Sequence, residues 1–268
     1  MHEVKRHWER DGLRDAIRVA LAASGKDLDA LTIEDLAPFD QVHGGGLSFT
    51  RRLARLAGLT PGMRVLDVGG GLGGPARTLA VEFGCHVTVI DLTESYVEAG
   101  RMLTTLMRLD DAVAFHVGDA LDLPFDDGAF DVVWTQNSGM NIADKDRLYA
   151  GFQRVIGPGG LLVIQEPMAG PQQPPIYPLM WASDASTDFL RPPDEMRTLI
   201  EGTGFRAIAW GEVTPDRPGP GTLPPSHTVQ GLVMGDQRVE VIASASRRNE
   251  EERRIVMVHA VFAAGPTS

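Results

Sequence analysis

The run Val65-Leu66-Asp67-Val68-Gly69-Gly70-Gly71-Leu72-Gly73-Gly74-Pro75 constrains this chain more than any other stretch. Five glycines in six positions follow a short apolar, β-prone run, and Pro75 opens a helical pattern reaching Phe83. Proline suits the first helical position because its missing N–H would be unpaired there anyway. Gly69, Gly71 and Gly74 satisfy G-x-G-x-x-G between a strand and a helix, which makes a backbone turn that a ligand can approach closely.

Asp67 narrows the ligand. A helix N-terminus favours anions, so a dinucleotide would place its pyrophosphate there, and a carboxylate two residues before Gly69 would oppose it. S-adenosylmethionine (SAM) carries an ammonium and a sulfonium and no phosphate, so it gains from the same acid. Two further acids fall at strand ends. Asp91, with Leu92 after it, stands 20 residues beyond Gly71, where a carboxylate accepts from both ribose hydroxyls. Asp119 precedes Ala120, a pair suited to the adenine amino group and a ring nitrogen. The plainer alternatives are a capping acid at Asp67, a helix cap at Asp91 and a turn acid at Asp119.

Apolar runs alternate with helical patterns along the rest of the chain. Strands are expected over 64–68, 87–90, 113–117, 130–134 and 161–164, with helices over 75–83, 94–108 (Thr93 as N-cap) and 145–156 between them. Gly157-Pro158-Gly159-Gly160 closes the last of these helices. The tail reads as a helix over 194–201, a strand over 205–213, a helix within 227–247 and a strand over 255–262. Continuous apolar strands separated by helices imply a parallel sheet covered on both faces, a doubly wound α/β fold. Ahead of it, residues 1–60 read as polar-faced helices with Ile17, Ala20 and Leu21 at helical spacing, loop chemistry over 36–46 and a helix over 49–57.

Composition excludes several classes. With 43% apolar and 23% charged residues the chain can build a core. Its charge of −11 argues against nucleic acid and anionic membrane surfaces. The single cysteine, Cys85, forbids an internal disulfide or a cysteine zinc cluster. No apolar leader core opens the chain and no run approaches a membrane span, so a cytoplasmic location is expected.

Together Val65–Gly71, Asp91, Gly118-Asp119-Ala120, Leu123-Pro124-Phe125, Phe130–Trp134 and Gly157–Gly160 resemble the class I SAM-dependent methyltransferases over residues 63–166. Leu36 to Thr50 with Trp134-Thr135-Gln136 resembles the bacterial small-molecule branch, of the ubiquinone/menaquinone and glycine/sarcosine types. The resemblance implies a Rossmann-like seven-stranded sheet, mostly parallel with the last strand antiparallel, under an N-terminal helical cap. It implies a cap over 1–60 and a SAM-binding core over 61–268, with an acceptor-covering insertion near 167–190. SAM is then the cofactor, S-adenosylhomocysteine (SAH) the product and a small molecule the acceptor; a homodimer is compatible with it.

On this resemblance Asp67, Gly69, Gly71, Asp91, Leu92, Asp119, Ala120 and Gln136 hold the cofactor. Ligands of open α/β sheets sit beyond the carboxyl ends of strands. That selects Asn137 and Asn141 after the fourth strand, Gln165 and Glu166 after the fifth, Gln41 and His43 in the cap, and Tyr177 and Trp181 in the Pro-rich stretch. Glu166 is the candidate base, aimed at the pocket, and His43 a second base or a holder of the SAM carboxylate. Similar enzymes place His where Met140-Asn141 and Asn137 stand, which favours N- or C-methylation slightly over O-methylation. Trp134, Trp181, Tyr177 and Phe189 either face the acceptor or form core. His227 reads as structural and 215–225 as a surface connection. A SAM-fold cyclase or non-methylating partner is the rival; an NAD(P) oxidoreductase is disfavoured by Asp67 and by the lack of a Tyr-x-x-x-Lys pair.

Overall fold

The computed structural model describes residues 2–214 and 228–265, so the 215–225 run and His227 lie outside the described residues. Seven strands form one sheet: β1 (Arg64–Val68), β2 (His86–Asp91), β3 (Val113–Val117), β4 (Phe130–Gln136), β5 (Ile156–Ala169), β6 (Phe205–Val213) and β7 (Ile255–Ala264). Their order is β3-β2-β1-β4-β5-β7-β6, with β7 antiparallel to both its neighbours and the remaining pairs parallel. The doubly wound sheet with its antiparallel last strand is therefore as expected. The chain order reverses between β1 and β4, and that switch point opens a crevice at the carboxyl ends of the strands.

Strand period decides the two cores. On β1, Leu66 and Val68 join a cluster with Val133, Leu148, Phe152, Ile200 and Phe262, under α7 (Lys145–Val155) and α8 (Pro193–Gly202). Val65 points the other way, with Leu53, Leu79, Val89, Trp134 and Val163, under α4 (Gly46–Ala57) and α5 (Gly74–Phe83). A third cluster joins α2 (Leu13–Ala23) and α3 (Ile33–Asp40) to α6 (Glu94–Leu106), α9 (Val229–Met234) and α10 (Asp236–Glu251) through Ile17, Leu21, Phe39, Leu103, Val233 and Ile242. The remaining helix, α1 (His2–Trp8), lies over the crevice mouth.

Five local expectations change. Residues 36–46 are not all loop, because α3 occupies Ile33–Asp40. Thr32 and Asp35 cap it reciprocally, and burial of Leu36 and Phe39 outweighs the hydrogen bond that Pro38 removes near its end. Gly157–Gly160 lies inside β5 as an irregularity, where the pairing with β4 jumps from Phe130↔Ile156 to Val132↔Leu161. Pairing with β7 then carries β5 on to Ala169, so Gln165 and Glu166 lie within the strand rather than after it. Thr93 precedes α6 without a side-chain cap, and the 227–247 helix is two helices broken at Gly235 (φ 79°).

Candidate active site

The turn after β1 is shaped largely by the protein's own packing. A Cβ on Gly69 (φ 69°) would stand 2.4 Å from the Ser138 Cβ, and one on Gly70 would stand 2.6 Å from Asp67 Oδ2. Gly71 (φ 54°) has room around it, and its need for glycine is conformational. Asp91 fixes this turn: its Oδ2 accepts the Gly71 N–H at 2.9 Å and its Oδ1 the Thr93 N–H at 2.8 Å. One carboxylate thus joins the loops following β1 and β2. Asp119 accepts from the Leu121 N–H at 2.9 Å, which leaves the Ala120 N–H out of that turn.

Asp67 is buried, and its Oδ2 has no hydrogen-bond partner among the described residues. Burial, followed by the nearby charge of Asp91, pushes its carboxyl up to about 8. An unsatisfied buried carboxyl is costly without a ligand, and a cation or N–H donor brought against it would relieve that cost.

These strand ends open into a cavity of about 980 Å³. Asp67, Gly69, Gly71, Asp91, Leu92, Asp119, Ala120 and Gln136 all line it, and so do His43, Asn137 and Asn141. Tyr96, Ser138 and Trp8 line it as well and were not singled out by the sequence. Trp8 and Tyr96 meet edge-to-face at 6.2 Å, and the Tyr96 hydroxyl is buried without a partner. The face of α10 carrying Val239, Ile242, Ala243 and Ser246 was missed too; its only signal is small and apolar residues at helical spacing.

Of the remaining candidates, several are committed to internal bonds. His43 Nε2 lies 2.8 Å from Gln41 Oε1 and Nδ1 lies 3.0 Å from the Gly44 carbonyl. Burial lowers its pKa to about 4, so the imidazole is neutral and donates to only one of these two oxygens. Gln136 accepts from the Trp134 indole and from Thr50, and donates to Gln165 at 2.8 Å. Gln165 in turn donates to the Gly44 carbonyl and to Asn137 Oδ1, both at 2.9 Å. Asn141 accepts from the Trp8 indole at 3.0 Å and donates to the carbonyls of Trp181 and Thr187, tying α1 to the insertion. Tyr177 and Trp181 both donate to the carboxylate of Asp188.

Glu166 does not line the large cavity, contrary to the expectation that it points there. It lies beneath the 3-10 turn Gly139–Asn141, where Oε1 accepts from the Gly139 N–H at 2.8 Å and the Ser138 N–H at 3.2 Å. The pleat explains this placement: Gln136 and Gln165 pair on the α4 side, so Glu166 turns to the α7 side with Thr135. Its carboxyl is raised above the usual range by burial, and burial lowers the nearby Lys145 to about 8.

Residues 66–164 match the family model described as a methyltransferase domain. Over that stretch the chain is similar to methyltransferase domains. The chain is 39% identical over 122 residues to the glycine/sarcosine/dimethylglycine N-methyltransferase of Actinopolyspora halophila, covering 44% of this chain and 22% of that protein. Among solved structures the cyclase SpnF superposes with a TM-score of 0.65 at 21% identity, over 82% of each chain. The geranyl diphosphate C-methyltransferase of Streptomyces coelicolor A3(2), solved with Mg2+, geranyl diphosphate and S-adenosyl-L-homocysteine, gives 0.65 at 18%, over 81% of this chain and 77% of its own. These two likenesses concern the fold. Three matched curated relatives are covered over 22%, 28% and 57% of their own length, so the chain spans well under two thirds of each.

Proposed function

We propose that the chain transfers the methyl group of SAM to a small-molecule acceptor bound in the same cavity. The observation that carries this reading is the buried, unpartnered Asp67 carboxyl at the head of a cradle that also presents Asp91 and Asp119. Three acids around one nucleoside-sized space suit a cationic nucleoside and repel a pyrophosphate. Asp91 would hold the ribose, the Asp119 turn the base, and Asp67 the charged end. SAM supplies a methyl group already activated by its positive sulfur.

The chain's own contribution is then positioning and exclusion of water. Burial keeps His43 neutral and weakly basic, and Glu166 lies beneath the 3-10 turn, so neither offers an effective base to the cavity. That supports an acceptor atom that attacks through a lone pair or π electrons, as in N- or C-methylation. The likeness to SpnF gives a second reading, a cyclase on the same fold. No helix among the described residues is long and apolar enough to cross a membrane. A cytoplasmic location agrees with one buried free cysteine, and light scattering separates a monomer from the homodimer that the sequence allows.

Calorimetry with SAM, SAH and NADH, followed by label transfer from methyl-labelled SAM into a metabolite extract, tests the reading. SAM and SAH should bind, NADH should not, and label should appear in a new product. Binding of NADH alone overturns the reading; SAM binding with all label retained in SAM favours the cyclase.

A further inference from the structure

We propose that the acceptor half of the cavity selects an uncharged, predominantly apolar molecule several times larger than an amino acid. The inference rests on the methyl-transfer reading, because it gives the strand-end half of the cavity to SAM.

Volume comes first. At ordinary packing density SAM occupies roughly 400–500 Å³, about half of the space. The remainder far exceeds what an amino acid fills.

The walls come next. Beyond the strand-end acids the cavity is bounded by Met140, Leu179, Trp181, Met234, Ile242 and Val256, all buried, from the 3-10 turn, the insertion, α9, α10 and β7. Two of the polar side chains in this wall, Asn249 and Trp181, are engaged by the protein itself. Asn249 exchanges both its amide groups with the Ile176 backbone at 2.8 Å, and the Trp181 indole donates to Asp188 at 3.1 Å. Methionines at 140, 180, 234 and 257 add a soft surface that adapts to varied apolar shapes.

Charge decides the class. Among the described residues only two cations line the cavity. Arg253 is exposed and paired with Glu212 at 2.9 Å, and Lys5 is half-buried on α1. The fully buried Arg77 is held by Asp40 at 2.9 Å and does not line the cavity. Asp144, Glu250 and Glu251 stand exposed at the mouth. A carboxylate or phosphate carried into this half would lose its hydration without a buried partner, the most unfavourable form of burial. The cavity therefore discriminates against anionic acceptors, including amino acids of the sarcosine type.

The test uses the full chain with three probes, 1-decanol, decanoate and sarcosine. SAH binding is measured first by calorimetry, and the probes are then titrated into SAH-saturated protein. Decanol should bind about tenfold or more tighter than decanoate, and sarcosine should give no signal at millimolar concentration. Ile242→Trp should weaken decanol about tenfold while keeping SAH affinity, and Met257→Arg should shift the preference toward decanoate. Decanoate or sarcosine binding as tightly as decanol overturns the proposal, as does decanol binding untouched by Ile242→Trp in a variant that still binds SAH. Failure of SAH itself to bind defeats the methyl-transfer reading and this inference with it; SAH binding with the wrong probe order defeats the inference alone.

Discussion

The carboxylate of Glu166 and the ammonium of Lys145 hold opposite ends of one residue: Glu166 Oε1 accepts the Gly139 N–H at 2.8 Å, while Lys145 Nζ donates to the Gly139 carbonyl. The 3-10 turn between them presents Met140 and Asn141 to the cavity, so this pair positions that part of the cavity wall from behind. Lys145→Met should leave that carbonyl without its buried donor and the Glu166 charge without its nearby counter-charge. A Tm lower by about 3–8 °C is expected, with KM for the acceptor raised and SAH affinity within about twofold of the parent. A thermal melt and a KM-against-kcat comparison check it, and an unchanged KM would separate the turn from acceptor binding.

Asp67 gives a pH prediction. Its carboxyl is raised from 3.8 to about 8 by burial, so the folded chain keeps a proton that the unfolded chain has lost. Stability of the ligand-free protein should therefore fall as pH rises from about 4 to about 8, then level off. Asp67→Asn should flatten that decline, raise Tm at pH 8 by about 2–6 °C, and weaken SAH about tenfold or more. Melts from pH 5 to 9 with parallel calorimetry read both effects; a variant that binds SAH normally contradicts the assignment.

His43 should be silent as a titrating base. With its pKa near 4, lowered by burial, it stays neutral from pH 5 upward. The pH–rate profile of the parent should show no imidazole inflection between pH 5.5 and 7.5, and His43→Gln should keep turnover within about tenfold. Abolished turnover in a folded His43→Gln protein would return the residue to the chemistry.

Asp40 and Arg77 form a buried pair linking α3 to α5 at 2.9 Å, with further Arg77 bonds to Leu72, Gly100 and Thr104. Removing one partner leaves the other charge buried alone. Asp40→Ala should cost about 3–5 kcal/mol in urea unfolding, and a cost below 1 kcal/mol would show that solvent reaches the guanidinium.

That these strand-end residues line one cavity was legible from sequence because their placement is local. Asp67 and Asp91 follow apolar residues directly and Asp119 follows the end of β3 after one intervening residue, and the end of a strand fixes where such a residue stands. The acceptor half depends on contacts between distant segments. The length of β5 is set by pairing with β7, some ninety residues later, so nothing near Gln165 announces that the strand continues. Whether Glu166 or Gln165 faces a given side follows from the register with β4, and neighbouring strand residues point to opposite faces. Helix α3 escaped notice because Pro38 and the glycines after it signal a loop, while the capping pair Thr32 and Asp35 uses Asp where Glu is the usual partner.

The short helix α1 and its next two residues are bonded to four separate regions. His7 reaches the Met180 carbonyl, Trp8 reaches Asn141, Glu9 takes the Ser95 N–H, and Arg10 contacts both the Val233 carbonyl and Ser95. The 167–190 segment is thus not an interchangeable module. Transplanting a different 167–190 stretch from a relative would change the backbone that receives His7 at Met180 and the carbonyls of Trp181 and Thr187 that hold Asn141, the partner of the Trp8 indole, unless residues 2–10 travelled with it. The shape of this side of the cavity changes when both pieces are exchanged as a matched set.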